Sequence, residues 1–504
     1  MNKELDAYFS YSAVELSKII LSRKVTSEQL VRQLLQRIQQ YNPSVNAIVS
    51  INEQDIIQQA IEADQLLAKG QITGPLHGVP ISIKDSFAVK GHSASAGFEP
   101  LRDYIPEYDA TVVARLKEAG AIVIGKTNVP TLLMDVQTKN PIYGTTNNPW
   151  DDTKTSGGSS GGSAAALAAG LSFMEIGSDV GGSLRIPAHF CGVYSLKPTE
   201  NSVSSYGHMS GVHDYAPFKV SRHMFTYGPM ARSMEDLIVS YPIIAGYDGK
   251  DTAVPHLSFD SNSLDQEQDI AKMKVAWLEE IPGIPVDDNM KRETSQLIDK
   301  LKASGAEVTQ IEQFPVDPQL VWETWSKLIY AELKSTMPVQ DENKTNALYE
   351  EHITASIKFP LTFEAYMELL TTREKLVAAF DAFVSEYDML ILPVSSTTAI
   401  SHMEADDVLD FEPIYNKTIK VNDTEMNYWH AVTAYVSLFN VLESPVVTMP
   451  FALSNEKLPI AVQCVGKRWD DMKLLQDVQT IVKHVPSSLP PIATDKDLLK
   501  STSS

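Results

Sequence analysis

The chain has 504 residues, 42 of them Lys or Arg and 64 Asp or Glu, for a formal net charge of -22. Such an excess of acid argues against a nucleic-acid ligand, because binding phosphates needs a positive surface. With 43 % hydrophobic residues the chain is neither disordered nor fibrous, and no run of apolar residues is long enough to span a membrane.

The first 70 residues read as helices. Ser12 with Glu15, and Thr26 with Gln29, have the spacing of capping boxes ahead of apolar stripes (Leu16, Ile19, Ile20; then Leu30, Leu34, Leu35, Ile38), and Asn42-Pro43 is expected to end the second helix. The apolar run Gly78-Val-Pro-Ile-Ser-Ile-Lys84-Asp85 follows as a strand with a lysine at its end. Asp109 is expected to cap a helix through Ala119, Gly120 to end it, and Ala121–Gly125 to form a buried strand. Strands at Lys274–Leu278, Ala306–Ile311, Met389–Pro393, Val446–Pro450 and Ile460–Gly466 alternate with helices at Met290–Ala303 and Asp470–Val482. This alternation indicates an α/β fold, a single large mixed β-sheet covered by helices on both faces. The expected organisation is one domain over residues 1–504, with helices 1–70 packed on it and a core at about 75–200. Three polar segments, 200–223, 339–358 and 395–427, read as excursions from that scaffold.

The N-terminus lacks a signal-type apolar run, so the cytoplasm is the expected compartment. Cys191 and Cys464 are two isolated cysteines with neither disulfide-framework nor metal spacing, and are expected to be core thiols. No metal or cofactor is implied.

Residues 155–199 are the densest in chemistry. Thr155-Ser-Gly-Gly-Ser-Ser-Gly-Gly-Ser163 has the composition of a linker, yet regular structure adjoins it on both sides, with Ser163 placed to cap a helix Ala164–Ala169 that Gly170 ends. It lacks the Gly-Lys-Ser/Thr of a phosphate loop. Gly181-Gly182-Ser183 offers a hydroxyl beside consecutive backbone amides, the parts that acyl transfer requires. A base could be one of the eleven histidines, none in a distinguishing motif, or Lys84, which burial would make neutral enough to accept a proton.

These blocks resemble the amidase signature family of serine hydrolases, which includes peptide amidases, fatty acid amide hydrolase and the A subunit of glutamyl-tRNA amidotransferase. The match runs through Gly78–Asp85, Gly125-Lys-Thr-Asn128, Asn147–Trp150, Ser156–Thr199, Gly228-Pro-Met-Ala-Arg-Ser-Met-Glu-Asp236 and Ile460–Gly466. The resemblance implies a triad of Ser183 as nucleophile, Ser159 with a cis peptide as bridge and Lys84 as base. It implies an oxyanion hole from the amides of Val180, Gly181, Gly182 and Ser183, and a buried Asp179–Arg185 ion pair shaping the loop. Ser160 is a further candidate for a hydrogen bond near the triad, and Leu133 and Met134 for the wall of an apolar acyl pocket. The expected substrate is a small-molecule amide, with no cofactor, nucleic acid or membrane involved and a homodimer as one possible assembly. Two rival readings stand beside it: a glutaminase subunit of a tRNA-dependent amidotransferase, and an inactive binding protein of the same fold. After Thr199 the chain reads Glu-Asn-Ser-Val, where the amidotransferase subunits typically continue Tyr-Gly-Arg.

Overall fold

Short β-branched runs separated by amphipathic stripes assemble, in the computed structural model, into one sheet of eleven strands. The structure describes residues 3–209, 221–259, 268–334, 362–403, 417–490 and 492. The strands are β1 Ile48–Ser50, β2 Pro80–Lys84, β3 Ile122–Thr127, β4 Met174–Asp179, β5 Tyr194–Lys197, β6 Thr226–Ala231, β7 Lys274–Trp277, β8 Glu307–Gln310, β9 Met389–Pro393, β10 Val446–Leu453 and β11 Pro459–Val465. Their spatial order is β1-β3-β2-β4-β6-β5-β10-β11-β9-β7-β8. Two parallel runs (β3-β2-β4 and β9-β7-β8) flank an antiparallel middle, and β1 adds an antiparallel edge beside β3, so the sheet is mixed.

Neighbouring residues on a strand point to opposite faces, so a strand buried at every position is covered on both sides. β2, β3, β4, β5, β6, β9 and β11 are buried throughout. In β9, Met389 and Ile391 join one hydrophobic core while Leu390 and Leu392 join another on the opposite face. The outer strand β8, by contrast, is mostly exposed and carries Glu307 and Gln310, polar residues that suit an unpaired edge.

Both predicted capping boxes are present, Ser12 on the helix Ala13–Leu21 and Thr26 on the helix Ser27–Val45. Three local expectations need correction. Asn42-Pro43 does not end the second helix, which runs through Pro43 to Val45 and stops at Asn46 in the left-handed region. Pro43 lies in the last turn, and Asn42 Oδ1 accepts the amides of Ala47 and Ile48 beyond it. Asp109 does not cap the helix Thr111–Glu118, which starts from Ala110 without a side-chain cap. Its carboxylate instead takes the Lys90 amide and the Lys117 ammonium. Ser163 lies inside the helix Gly161–Ala168 and not ahead of it, its hydroxyl 2.8 Å from that of Thr127.

Of the three excursions, 339–358 lies outside the described residues, as do 210–220 of the first and 404–416 of the third, with its acidic cluster. The described end of the third forms a two-stranded ribbon, Thr418–Val421 with Thr424–Asn427. Among the described residues no helix is long and apolar enough to cross a membrane.

Candidate active site

β2 ends at Lys84 in the interior of the sheet, between β3 and β4. The lysine side chain is fully buried. Its Nζ lies 2.7 Å from Ser159 Oγ, 3.0 Å from Ser178 Oγ and 3.3 Å from the Ser178 carbonyl oxygen. Burial lowers its pKa from 10.5 to about 7, against the opposing pull of the Asp179 carboxylate. The next residue, Asp85, takes a second buried lysine: Lys126 Nζ donates to its Oδ1 at 3.2 Å, and Ser95 Oγ donates to Oδ2 at 2.5 Å. Lys126 is thereby held away from Lys84, its remaining donors on the carbonyls of Phe87 and Ser93.

The first glycine-serine cluster wraps around this lysine. The peptide Gly158–Ser159 is cis. A Cβ on Gly158 would sit 2.6 Å from the Asp135 carbonyl oxygen, so no other residue fits there. Ser159 is buried, and the following amide, Ser160 N–H, donates to the Ser183 carbonyl at 3.2 Å, joining the two clusters. Ser160 Oγ is 3.4 Å from the Ser178 carbonyl.

The second cluster forms the turn between β4 and the helix Arg185–Cys191. Asp179 organises it. Its Oδ1 accepts from Gly182 N–H at 2.9 Å and its Oδ2 from Leu184 N–H at 2.9 Å, while Arg185 donates to both oxygens at 2.8 and 3.1 Å. Arg185 is fully buried and spends its other donors on Val436 O, Gln463 Oε1 and Asn440 Oδ1. Burial alone would push the Asp179 carboxyl up, but the guanidinium and these donors hold it well below the ordinary carboxylate range. The expected ion pair is therefore present. The Gly182 amide, however, already donates to this carboxylate at 2.9 Å, an acceptor that competes with an oxyanion. Gly182 has φ +114°, and a Cβ there would lie 2.4 Å from Val436 Cγ2. Ser183 itself is only half-buried.

Trp325 supports the same turn from outside: its Nε1 donates to the Val180 carbonyl at 2.7 Å, and its ring lies against Gly181. Leu133 and Met134 are half-buried at the turn Thr131–Leu133, and the chain just beyond them is the Asp135–Gln137 backbone that backs Gly158. Both cysteines are buried and free, and burial raises the pKa of Cys464 to about 12.

Sequence reasoning missed four residues of this site. Ser178 lies within the Ser156–Thr199 block, so its place was legible. Trp325, Asn440 and Gln463 reach the site from more than a hundred positions away and carry no local signal.

The model of the family described as Amidase matches residues 29–475. The chain belongs to the amidase family. Among its relatives, the A subunit of glutamyl-tRNA(Gln) amidotransferase from Alkaliphilus metalliredigens is 29% identical over 493 residues, covering 92% of this chain and 94% of the relative. Indoleacetamide hydrolase from Bradyrhizobium diazoefficiens is 32% identical over 473 residues, covering 92% and 85%. A solved structure of the amidotransferase A subunit from Thermotoga maritima superposes with a TM-score of 0.76 at 26% identity, covering 96% of this chain and 98% of the other. This amidase-family chain is accordingly a hydrolase of amides.

Proposed function

We propose that the chain cleaves a small-molecule carboxylic amide through an acyl-serine intermediate, with Ser183 as nucleophile, Ser159 as proton bridge and Lys84 as base. The observation that carries this reading is a buried lysine, neutral in a large fraction of molecules near pH 7, whose Nζ is 2.7 Å from the Ser159 hydroxyl. Lys84 takes the Ser159 proton, Ser159 takes that of Ser183, and Ser183 Oγ bonds to the amide carbon. The amides of Val180, Gly181 and Ser183 then receive the oxyanion. Ser159 returns a proton to the departing nitrogen as the C–N bond breaks, and water enters by the same relay in reverse to free the acid. Leu133 and Met134 would offer apolar surface to the acyl group.

The test is paired. Ser183→Ala should lower amide turnover by about 10³-fold or more and abolish labelling by a fluorophosphonate, with an unchanged circular-dichroism spectrum. Turnover by Ser183→Ala near that of the wild type would refute the assignment. A wild-type chain that neither turns over a panel of primary amides, anilides and peptide amides nor reacts with the probe would instead favour the inactive binding protein.

The amidotransferase reading draws on similar relatives. Against it, Glu200, the residue after Thr199, is buried and ion-paired with Arg373, which also pairs with Glu443 at 3.5 Å. That position is thus spent on packing. Activity of the isolated chain on amides without partner subunits separates the two.

A further inference from the structure

Glu175 is a fully buried acid on β4 that the proposed chemistry does not use. Its carboxyl meets three hydroxyls from three different elements. Ser82 of β2, its register partner, donates to Oε1. Thr127 of β3 donates to Oε2 at 3.3 Å. Ser163, on the helix Gly161–Ala168, bonds the same carboxyl and lies 2.8 Å from the Thr127 hydroxyl.

Each of these elements supports a member of the proposed triad. Ser82 is two residues before Lys84 on β2, and Thr127 is the β3 register partner of Lys84. The helix that carries Ser163 starts two residues after Ser159. Glu175 itself stands on the strand that ends at Asp179, where the turn holding Ser183 begins. One side chain therefore joins the supports of base, bridge and nucleophile.

Protonation decides whether that junction holds. Burial lifts the carboxyl from 4.5 to about 8, against the pull of the three hydroxyls and of Lys126. A neutral carboxyl donates one bond and accepts others, as hydroxyls do, so the four groups can close a network. A carboxylate only accepts, and it places an unsolvated charge between strands. It would also compete for Lys126, whose ammonium sits on Asp85, the neighbour of Lys84. The other charged groups on the packed elements are engaged elsewhere. Lys84 is on Ser159 and Ser178, and Asp179 is held by Arg185. Arg232, two residues beyond the β6 register partner Met230, donates to the carbonyls of Leu167, Ser172, Phe9 and Tyr11. The helix Gly161–Ala168 contains no titratable residue.

We propose that neutral Glu175 is a positioning residue for the triad, and that its ionisation ends activity on the alkaline side. This role presupposes the Ser183–Ser159–Lys84 triad proposed above.

The experiment measures kcat and KM against pH for the full-length wild type, Glu175→Gln and Glu175→Leu, with circular dichroism at each pH. Wild-type kcat/KM should rise through about pH 7 and then fall above about pH 8, tenfold per pH unit. Glutamine keeps a donor and an acceptor in the same shape and cannot ionise. Its falling limb should be absent, so that at about pH 9.5 it exceeds the wild type by about tenfold or more. Glu175→Leu offers neither donor nor acceptor and should lower kcat at neutral pH by about tenfold, with KM unchanged. A wild type without the falling limb, a limb kept at the same pH in Glu175→Gln, or a wild-type kcat in Glu175→Leu overturns the role. So does a limb that coincides with loss of the wild-type circular-dichroism spectrum, because it would then report unfolding. A chain that reacts with neither amides nor a fluorophosphonate at any pH refutes the triad, and this role with it.

Discussion

Replacing Lys84 by methionine should stabilise the protein while destroying its activity. The fall in pKa from 10.5 to about 7, at 1.36 kcal/mol per pH unit, means that below pH 7 the folded state pays about 5 kcal/mol to keep this side chain inside. Methionine has a similar length and no charge to desolvate. It forfeits the three contacts of Nζ with Ser159 and Ser178, worth about 1 kcal/mol each, which leaves a net gain of about 2 kcal/mol. The sign follows from proton binding. Between pH 7 and 10.5 the unfolded chain holds a proton that the folded one lacks, so wild-type stability rises with pH there and the advantage of Lys84→Met fades. Below pH 7 both states are protonated and the advantage is constant. Differential scanning fluorimetry of both proteins from pH 6 to 10 reads this, and in parallel the wild-type kcat/KM should climb with pH through about 7. If Lys84→Met were less stable than the wild type at pH 7, or if the difference did not shrink towards pH 10, the lysine would be an ammonium in the resting enzyme and unfit as the base.

Four further outcomes are expected. Arg185→Met should cost about 3–5 kcal/mol, because it leaves the Asp179 carboxylate buried without its cation; loss of soluble expression or a large drop in melting temperature is the readout. Trp325→Phe should lower kcat/KM about fivefold to tenfold with little change in fold, since it removes one hydrogen bond to the Val180 carbonyl. Gly182→Ala should abolish turnover, because the new Cβ meets Val436 at 2.4 Å in a backbone region that alanine avoids. Glu175→Gln should be as stable as the wild type at pH 5 and more stable at pH 8. Burial raises the Glu175 carboxyl from 4.5 to about 8 against the hydroxyls of Ser82, Ser163 and Thr127, so the folded wild type holds a proton that the unfolded chain releases, and loses stability as pH rises across that window.

The strands and caps were readable because each rests on residues close in sequence. The run Met389–Pro393 is apolar at every position, and the structure buries it on two faces; Ser12 and Glu15 are one helical turn apart and close their box locally. Pro43 misled because its effect depends on where in a helix it falls: in the last turn it interrupts little, and Asn42 accepts the amides that follow. Ser163 and Asp109 had the right residue type for a cap, but Thr127 on β3 and Lys117, two turns into the same helix, took their side chains. At the site, Lys84 and Ser159 could be named together only through the family resemblance, since nothing in either motif points to the other. Gly182 shows what such a transfer leaves out. Its amide belongs to the same glycine pair as Gly181, yet the three-dimensional placement of Asp179 gives it an acceptor that competes with an oxyanion. Trp325, Asn440 and Gln463 were invisible because their contacts join separate parts of the chain.

The network around Arg185 has a consequence for synthesis. The reactive turn occupies residues 179–183, but the acceptors that saturate its arginine are Val436, Asn440 and Gln463. A ribosome that has released the first four hundred residues has made every member of the proposed triad, and still has not supplied these acceptors. A nascent chain therefore lacks part of the Arg185 network until the last strand, β11, which carries Gln463, slots in beside β10, and a chain truncated before that strand is expected to be inactive on amides.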